Sequence, residues 1–196
     1  MLPGMRLIFW LWLGWGLYWM LAAVRNKATQ RREPLLSRLA HVVPLAVGGA
    51  LLAWPARRWS ALSWRLWPPS PAACSIGVAL VIAGLAFAIW ARVHLGGNWS
   101  GTVTVKQDHE LIRSGPYAYV RHPIYTGLIT ALLGTAVASG TVHGVIGLAI
   151  IAAAFVRKLR TEEEFMRETF PGEYERYSAE VPALIPFARP RHPAPR

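Results

Sequence analysis

The sequence is poor in cysteine and in charged residues. Its 196 residues include a single cysteine, Cys74, and only 16 % of them are charged. One cysteine excludes an intrachain disulfide framework and a cysteine-rich metal site. The hydrophobic share is 54 % and the mean hydropathy is +0.30, values too apolar for an ordinary soluble domain. The composition therefore indicates a membrane protein.

Apolar residues occur in five blocks and not with the period of an amphipathic helix or strand. Crossing the hydrocarbon core takes roughly 20 helical residues, so each block is a candidate span, although the second is marginal in length. Ser139-Gly140-Thr141 separates the last two blocks and predicts a tight helical hairpin. We expect an all-α integral membrane protein, a single domain over 1–196, with a cytoplasmic C-terminal helix. The five predicted spans are about 7–24, 40–54, 72–93, 123–139 and 142–156.

The net charge of +11 is distributed along the chain in a way that predicts its orientation. The basic residues flank apolar blocks and do not form a stripe with aromatic stacking positions, so membrane topology explains them better than nucleic-acid binding. The first block is long, rich in tryptophan and followed by Arg25 and Lys27, which favours a retained span over a cleaved signal peptide. With the N-terminus outside, 17 lysines and arginines are cytoplasmic and four are not. All ten acidic residues also fall on the cytoplasmic side.

Two segments on that side contain more charged and polar residues than membrane topology alone requires. The first is KQDHELIRSGPYAYVRHPIYTG, residues 106–127, in which Pro123 suits the first turn of the fourth span. His122 then lies at the helix N-cap, where free backbone N–H groups and the helix dipole favour an anionic ligand. The second is KLRTEEEFMRETFPGEYERY, residues 158–177, where Lys158 and Glu162 are four residues apart on one helix face.

Simpler readings exist for each part. The basic residues of both segments could be membrane anchors, and residues 162–164 could be a solvated helix face. His122 could be a helix cap and no more. A metal site of His94, His109 and His122 is disfavoured because their spacing matches no standard pattern. The combination of the two segments on one membrane face favours a site.

A family resemblance is carried by three ordered segments: HELIRSGPYAYVRHPIYTG, RTEEEFMRETFPGEYERY and VPALIPF. Together they resemble the isoprenylcysteine carboxyl methyltransferase family of integral membrane enzymes. The family pattern is approximately H-x-L-V-x-x-G-x-Y-x-x-x-R-H-P-x-Y-x-G, then E-E-x-x-L-x-x-x-F-G-x-x-Y-x-x-Y, then V-P-x-x-L-P. The resemblance covers about residues 95–187, and the first two apolar blocks match only in being apolar.

The resemblance implies S-adenosylmethionine as methyl donor, bound at the cytoplasmic face by the half of the domain from 94 to 196, with 1–93 supplying the first three spans. Glu162 is the expected principal contact, and Glu164 is an extra glutamate. The family's substrate-contacting arginine falls on Lys158 here, and Arg160 or Arg157 could replace it, so Lys158 and Arg160 are the catalytic candidates. The implied cofactor-binding residues are Lys106, His109, Glu110, Leu111, Ile112, Tyr117, Arg121, His122, Pro123, Ile124, Tyr125, Glu162 and Glu163.

The expected function is methyl transfer to a lipophilic acceptor, most simply a carboxylate, which enters from the bilayer of a bacterial cytoplasmic membrane. The acceptor is a lipophilic small molecule or a lipidated substrate, and we expect no nucleic-acid partner. A carboxylate acceptor needs no general base at neutral pH. A phospholipid or other lipid N-methyltransferase, an NADPH-dependent membrane reductase of related fold and a non-catalytic membrane protein are the alternatives. The reductase would need a basic cluster for the 2′-phosphate and additional spans, and the sequence shows neither clearly.

The charge distribution yields a topology prediction. Reporter fusions should place the N-terminus outside and the C-terminus in the cytoplasm, because the positively charged loops stay inside. A phosphatase reporter that is active at the N-terminus and silent at the C-terminus would agree with five spans. Two termini on the same side would contradict an odd number of spans.

Overall fold

The computed structural model describes residues 3–23, 35–53, 64–98 and 111–188. Within these ranges the chain is helical, and the only extended pairing is one antiparallel bridge between Arg65 and Thr141. Two 3₁₀ turns, Gly96–Asn98 and Gly115–Ala118, lie between the third and fourth helices. The six α-helices are α1 (Pro3–Ala23), α2 (Leu35–Ala53), α3 (Pro71–Leu95), α4 (Pro123–Ser139), α5 (Val142–Thr169) and α6 (Glu173–Glu180).

The described residues of all five predicted apolar blocks lie in helices, and the all-α class is confirmed for the part of the chain that the structure describes. Residues 24 and 54, the last of the first two blocks, lie outside it. In the described part of the chain, three helices are long and apolar enough to cross a membrane: Pro3–Ala22, Pro71–Leu95 and Val142–Thr169. The apolar helices Leu39–Ala53 and Pro123–Ser139 are shorter. At 1.5 Å per residue α4 is about 25 Å long, somewhat less than the roughly 30 Å of hydrocarbon in a bilayer. Five spans therefore remain a prediction.

Helices α3 and α4 pack against each other through glycines spaced seven residues apart. A Cβ atom on Gly84 would lie 2.4 Å from the carbonyl oxygen of Gly127, and one on Gly77 would lie 2.5 Å from that of Gly134. The first glycine of one helix meets the second glycine of the other, so the helices are antiparallel. Glycine lets the two backbones approach closely, a common means of helix association in membranes.

Helices α2 and α5 form a second antiparallel pair. A Cβ atom on Gly48 would lie 2.8 Å from the carbonyl oxygen of Gly147. Near the end of α2 and the start of α5, the Nδ1 of the buried His143 ring lies 2.9 Å from the carbonyl oxygen of Leu51. Since a carbonyl only accepts, Nδ1 donates, and this bond satisfies one of the last carbonyls of α2. The pairing of α2 with α5 therefore combines close packing with a buried hydrogen bond.

The predicted hairpin between the fourth and fifth helices is present. Helix α4 ends at Ser139, Gly140 adopts a left-handed conformation with φ of 61°, and α5 begins at Val142. The backbone of Trp64 and Leu66 pairs with this turn, since Leu66 N donates to Gly140 O at 2.8 Å and Val142 N donates to Trp64 O at 2.9 Å. The loop before α3 thus covers the end of the hairpin.

Helix α5 extends well past its apolar part. Its 28 residues span about 42 Å, whereas the predicted span covers only 142–156. The polar residues from Arg157 onward continue the same helix without interruption. This continuity places the glutamates of the second polar segment on a rigid extension of a membrane helix, beside the start of α4.

The glycine packing of α3 and α4 can be tested by one methyl group. Gly84→Ala should destabilise the folded protein by about 1–3 kcal/mol, because the new Cβ meets backbone atoms that cannot move aside. Gly49→Ala is the matched control, since nothing lies within 4 Å of its Cβ position. Thermal unfolding in detergent should show a lower midpoint for the first variant only. Equal midpoints would contradict this packing.

Candidate functional site

The approach to α4 is fixed by contacts of the segment 114–120. Gly115 has a φ of 59°, and a Cβ there would collide with the ring of His94, which in turn lies 2.8 Å from the Ser114 hydroxyl. The Tyr177 hydroxyl on α6 donates to the carbonyl oxygen of Tyr117 at 2.6 Å. Burial raises the pKa of both tyrosines, so both are neutral. These contacts hold the segment between α3 and α6.

Arg121 connects α4, α5 and the C-terminal tail. Its Nε and Nη2 donate to Glu163 Oε1 at 3.0 and 2.5 Å, and both side chains are about nine-tenths buried. Its Nη1 donates to the carbonyl oxygen of Ser178, in the last turn of α6, at 3.0 Å and to that of Val181, just beyond the end of α6, at 2.5 Å. Arg167, one turn after Glu163, donates to the other carboxylate oxygen at 3.2 Å. Each charge of this buried group has an opposite partner or a carbonyl acceptor.

The tail also bonds to the backbone before α4. Arg121 N donates to Pro182 O at 2.9 Å, and His122 N donates to Ala183 O at 3.0 Å. One turn later the Thr126 hydroxyl donates to Leu184 O at 2.7 Å. The sequence predicted that free N–H groups at this helix start would face a ligand. In the structure the N–H groups of residues 121 and 122, just before α4, donate to carbonyl oxygens of the tail and are therefore not free for a ligand.

His122, Tyr125 and Lys158 surround the carboxylate of Glu162. The Tyr125 hydroxyl donates to Glu162 Oε1 at 2.6 Å, and His122 Nδ1 lies 3.6 Å from Oε2. Lys158 Nζ lies 3.8 Å from Oε1, along the same helix face. The Glu162 side chain is 24 % exposed, against 10 % for Glu163. Of Glu162 and Glu163, Glu162 is therefore the glutamate with solvent access.

The His122 ring lies between the two glutamates, with Nε2 at 3.3 Å from Glu163 Oε1. Burial by itself lowers the pKa of His122, but the hydrogen bonds and negative charges of Glu162 and Glu163 outweigh burial and raise that pKa above its ordinary value of 6.5. A protonated imidazole donates from both nitrogens, so it can bind both carboxylates at once. His122 thus lies in contact with both the accessible glutamate and the buried one.

An aromatic stack supports this arrangement from the apolar side. The rings of His122 and Tyr125 are stacked with centroids 5.7 Å apart, and Tyr125 stacks on Phe155 of α5 at 4.9 Å. The ammonium of Lys158 lies 5.9 Å from the centroid of the Tyr125 ring. Tyr125 is therefore held between α4 and α5, and its hydroxyl has little freedom to leave Glu162.

The structure brings only some of the predicted site residues together. Arg121, His122, Tyr125, Glu162 and Glu163 form one contact network. Lys158 joins this network through Glu162.

The other predicted residues lie around the network or outside the described residues. Pro123 is buried at the first position of α4, and Leu111, Ile112 and Ile124 are partly buried. Arg160 is exposed, and two helical steps rotate it about 200° from Lys158. The predicted residues Lys106, His109 and Glu110 lie outside the described ranges.

Sequence reasoning missed several members of the network. Arg167 lies four residues after Glu163, a spacing that signals a helical ion pair and could have identified it. Phe155 carried no signal beyond being apolar. The tail segment VPALIPF belongs to the family resemblance, but the pattern alone did not show that its carbonyls bind Arg121 and His122. Within the described ranges, no group of three or more His, Cys, Asp or Glu side chains could hold a metal ion.

Chemically, the site offers one accessible carboxylate with a cation and an aromatic hydroxyl beside it. A carboxylate only accepts hydrogen bonds, so Glu162 suits the hydroxyl or amino groups of a ligand. The ammonium of Lys158 suits an anionic group. Such a site can bind and orient a ligand that carries both hydroxyl or amino groups and a negative group.

Comparisons with known proteins confirm the resemblance. The model of the isoprenylcysteine carboxyl methyltransferase (ICMT) family matches residues 77–168, a segment that contains His122, Tyr125, Glu162 and Glu163. A protein-S-isoprenylcysteine O-methyltransferase of Schizosaccharomyces pombe is 36 % identical over 100 residues, which are 50 % of this chain and 42 % of that protein. The cobalt-zinc-cadmium resistance protein CzcN of Cupriavidus metallidurans is 29 % identical over 113 residues, 57 % of this chain and 46 % of that protein.

A solved structure has a similar fold. The eukaryotic intramembrane Ras methyltransferase matches with a TM-score of 0.50 and 24 % sequence identity, over 76 % of this chain and 52 % of that chain. The chain spans about half the length of the curated relatives it matches. The methyltransferase family implies S-adenosylmethionine as methyl donor.

The buried ion pair predicts an order of stabilities among three consecutive glutamates. Glu163→Ala should cost about 3–5 kcal/mol, because it leaves Arg121 buried without its counter-charge. Glu162→Ala should cost less, since its carboxylate is partly exposed. Glu164 is exposed, so Glu164→Ala should fall within about 0.5 kcal/mol of wild type.

Denaturation in detergent with increasing urea would measure the order. The double variant Arg121→Ala/Glu163→Ala should recover part of the loss, since no charge is then left unpaired. Equal stabilities for the first two variants would show that Glu163 does not anchor the structure.

Proposed function

We propose that this chain is a membrane-embedded methyltransferase that uses S-adenosylmethionine to methylate a lipophilic acceptor, most simply a carboxylate, at the cytoplasmic membrane face. The observation that carries the proposal is the meeting of the RHPIY turn with the glutamate pair of α5, inside the segment that matches the family. The lipidated carboxyl substrate named for the relatives is the model for the acceptor class.

The residues of the site fit the donor. S-adenosylmethionine carries ribose hydroxyls, an amino group and a positively charged sulfonium, all of which are complementary to a carboxylate. Glu162 is the accessible carboxylate, and its side chain is held by Tyr125, His122 and Lys158. We propose that Glu162 binds the donor directly, while His122 and Tyr125 orient it. Arg121 and Glu163 hold the surrounding backbone in place.

When bound, S-adenosylmethionine would supply an activated methyl group. The chain itself has to bind the acceptor, align it and keep water away. A carboxylate acceptor is ionised at neutral pH, so no side chain has to remove a proton. Alignment and exclusion of water contribute several kcal/mol in such reactions.

Lys158 is the residue we propose to orient the acceptor. It faces the same side of α5 as Glu162, and its side chain is 15 % exposed. Its ammonium can attract the negative head group of an acceptor whose apolar tail stays in the bilayer. Arg160, the other candidate, is exposed and on a different face of α5, so we rank it below Lys158.

Binding measurements test the donor assignment. Titration calorimetry of the detergent-solubilised protein should detect S-adenosylhomocysteine but not NADPH. Glu162→Ala should weaken that binding by about 1–3 kcal/mol, because the hydrogen bonds between its carboxylate and the ligand are lost. His122→Ala should do likewise, and Tyr125→Phe should have a smaller effect, because the ring remains and only one bond to Glu162 is lost.

Glu164→Ala is the matched control, because it removes the neighbouring charge from an exposed position. Thermal unfolding of each variant has to confirm that it remains folded. Binding of NADPH alone would indicate a reductase, and binding of neither ligand would indicate a non-catalytic protein. If folded Glu162→Ala and His122→Ala proteins bind S-adenosylhomocysteine as tightly as wild type, the site assignment is wrong.

A further inference from the structure

We propose that the turn of residues 185–188, called here the apolar tip, inserts into the cytoplasmic interface of the lipid bilayer and holds the tail against the membrane surface. The inference rests on the membrane placement of the chain and goes beyond methyl transfer. In the tip, Ile185 is 70 % exposed and Phe187 is 91 % exposed, the highest exposure among the large hydrophobic side chains of the described residues.

The backbone of the tip is unusual. Ala188 N donates to Ile185 O at 3.2 Å, which closes a turn with Pro186 and Phe187 at its centre. Phe187 has a φ of 63°, and among the described residues it is the only one other than glycine with a positive φ. A bulky residue rarely adopts this conformation, which carries strain. The strained turn directs two large apolar side chains away from the protein.

The position of the tip relative to α4 identifies the environment it meets. Thr126 in the first turn of α4 binds Leu184 O, so the tip begins one residue from an anchor on that helix. With α4 as one of the five predicted spans, its length of about 25 Å puts its ends at or inside the edges of a hydrocarbon layer of roughly 30 Å. The apolar tip therefore starts at the depth where headgroups meet acyl chains.

Charge supports the same partner. Three arginines follow the tip in the sequence, at positions 189, 191 and 196, and the rest of the chain is also strongly basic. Apolar side chains next to basic residues are typical of segments that lie in the membrane interface, where anionic lipid headgroups attract the positive charges. A soluble protein partner would not require the tip to begin at the end of a membrane helix.

Site-directed fluorescence can test the insertion, because Cys74 is the only cysteine and is buried. In a Cys74→Ala background, Ala188→Cys would carry an environment-sensitive NBD label beside the intact Phe187. The protein would be reconstituted in vesicles of phosphatidylcholine and phosphatidylglycerol. We expect blue-shifted emission that is quenched by lipids with a nitroxide near the headgroup, more than by aqueous iodide. Adding Phe187→Asp should reverse that preference several-fold.

Two control positions make the outcome decisive. A label at Glu175→Cys, on the exposed side of α6, should respond mainly to iodide. A label at Ile82→Cys, exposed near the middle of α3, should respond to deep nitroxide lipids and show that the protein spans the vesicle membrane. If Ile82→Cys responds but Ala188→Cys behaves like Glu175→Cys, the insertion of the tip is wrong while the membrane placement stands. Quenching that depends on the protein-to-lipid ratio would indicate a second copy as the partner and would also overturn the proposal.

Discussion

The buried pair of Arg121 and Glu163 is the interaction on which the half of the protein that holds the candidate site depends. Its two charges lie at the meeting point of α4, the extension of α5 and the tail. A buried charge without a partner is very unfavourable, so these three elements can separate only if they also expose the pair to water. The carbonyl oxygens of Ser178, in the last turn of α6, and of Val181, just after it, also accept from the guanidinium, so the end of α6 and the tail are held by the same arginine. Loss of either partner would leave the other charge buried and uncompensated, so the pair favours the one arrangement that keeps both together.

The membrane half depends on a different constraint, the close approach of glycine backbones. Gly77 and Gly84 face Gly134 and Gly127, and Gly48 faces Gly147. In lipid there is little hydrophobic gain when helices associate, so backbone proximity and packing decide which helices pair. The pairs α3–α4 and α2–α5 are joined by the short hairpin at Gly140. Because α4 and α5 are thereby fixed at one end, the distance between His122 and Glu162 at the other end is set by helix packing.

The sequence predicted much of this architecture because membrane helices leave strong local signals. Long apolar blocks and the Ser139-Gly140-Thr141 break were sufficient to place the helices and the hairpin. The partners of the helices were not predictable, since any apolar face can meet another and the glycine spacing becomes informative only when both helices are known. The uninterrupted extension of α5 was also missed, because the change from apolar to polar residues at Arg157 does not coincide with the end of the helix.

In the candidate site, too, the sequence identified residues from local motifs but did not show which distant residues they contact. Motif resemblance identified both glutamates, but their different roles follow from helix geometry. Consecutive residues on an α-helix point about 100° apart, so Glu162 and Glu163 have different principal partners, although the His122 ring reaches both. Glu163 points to Arg121, and its carboxylate is buried in that ion pair. Glu162 points to Tyr125 and Lys158 and keeps solvent access. One glutamate could not fulfil both roles, because a carboxylate released to bind a ligand would leave Arg121 uncompensated. The His122 ring between them then makes the geometry of the accessible carboxylate depend on the buried one.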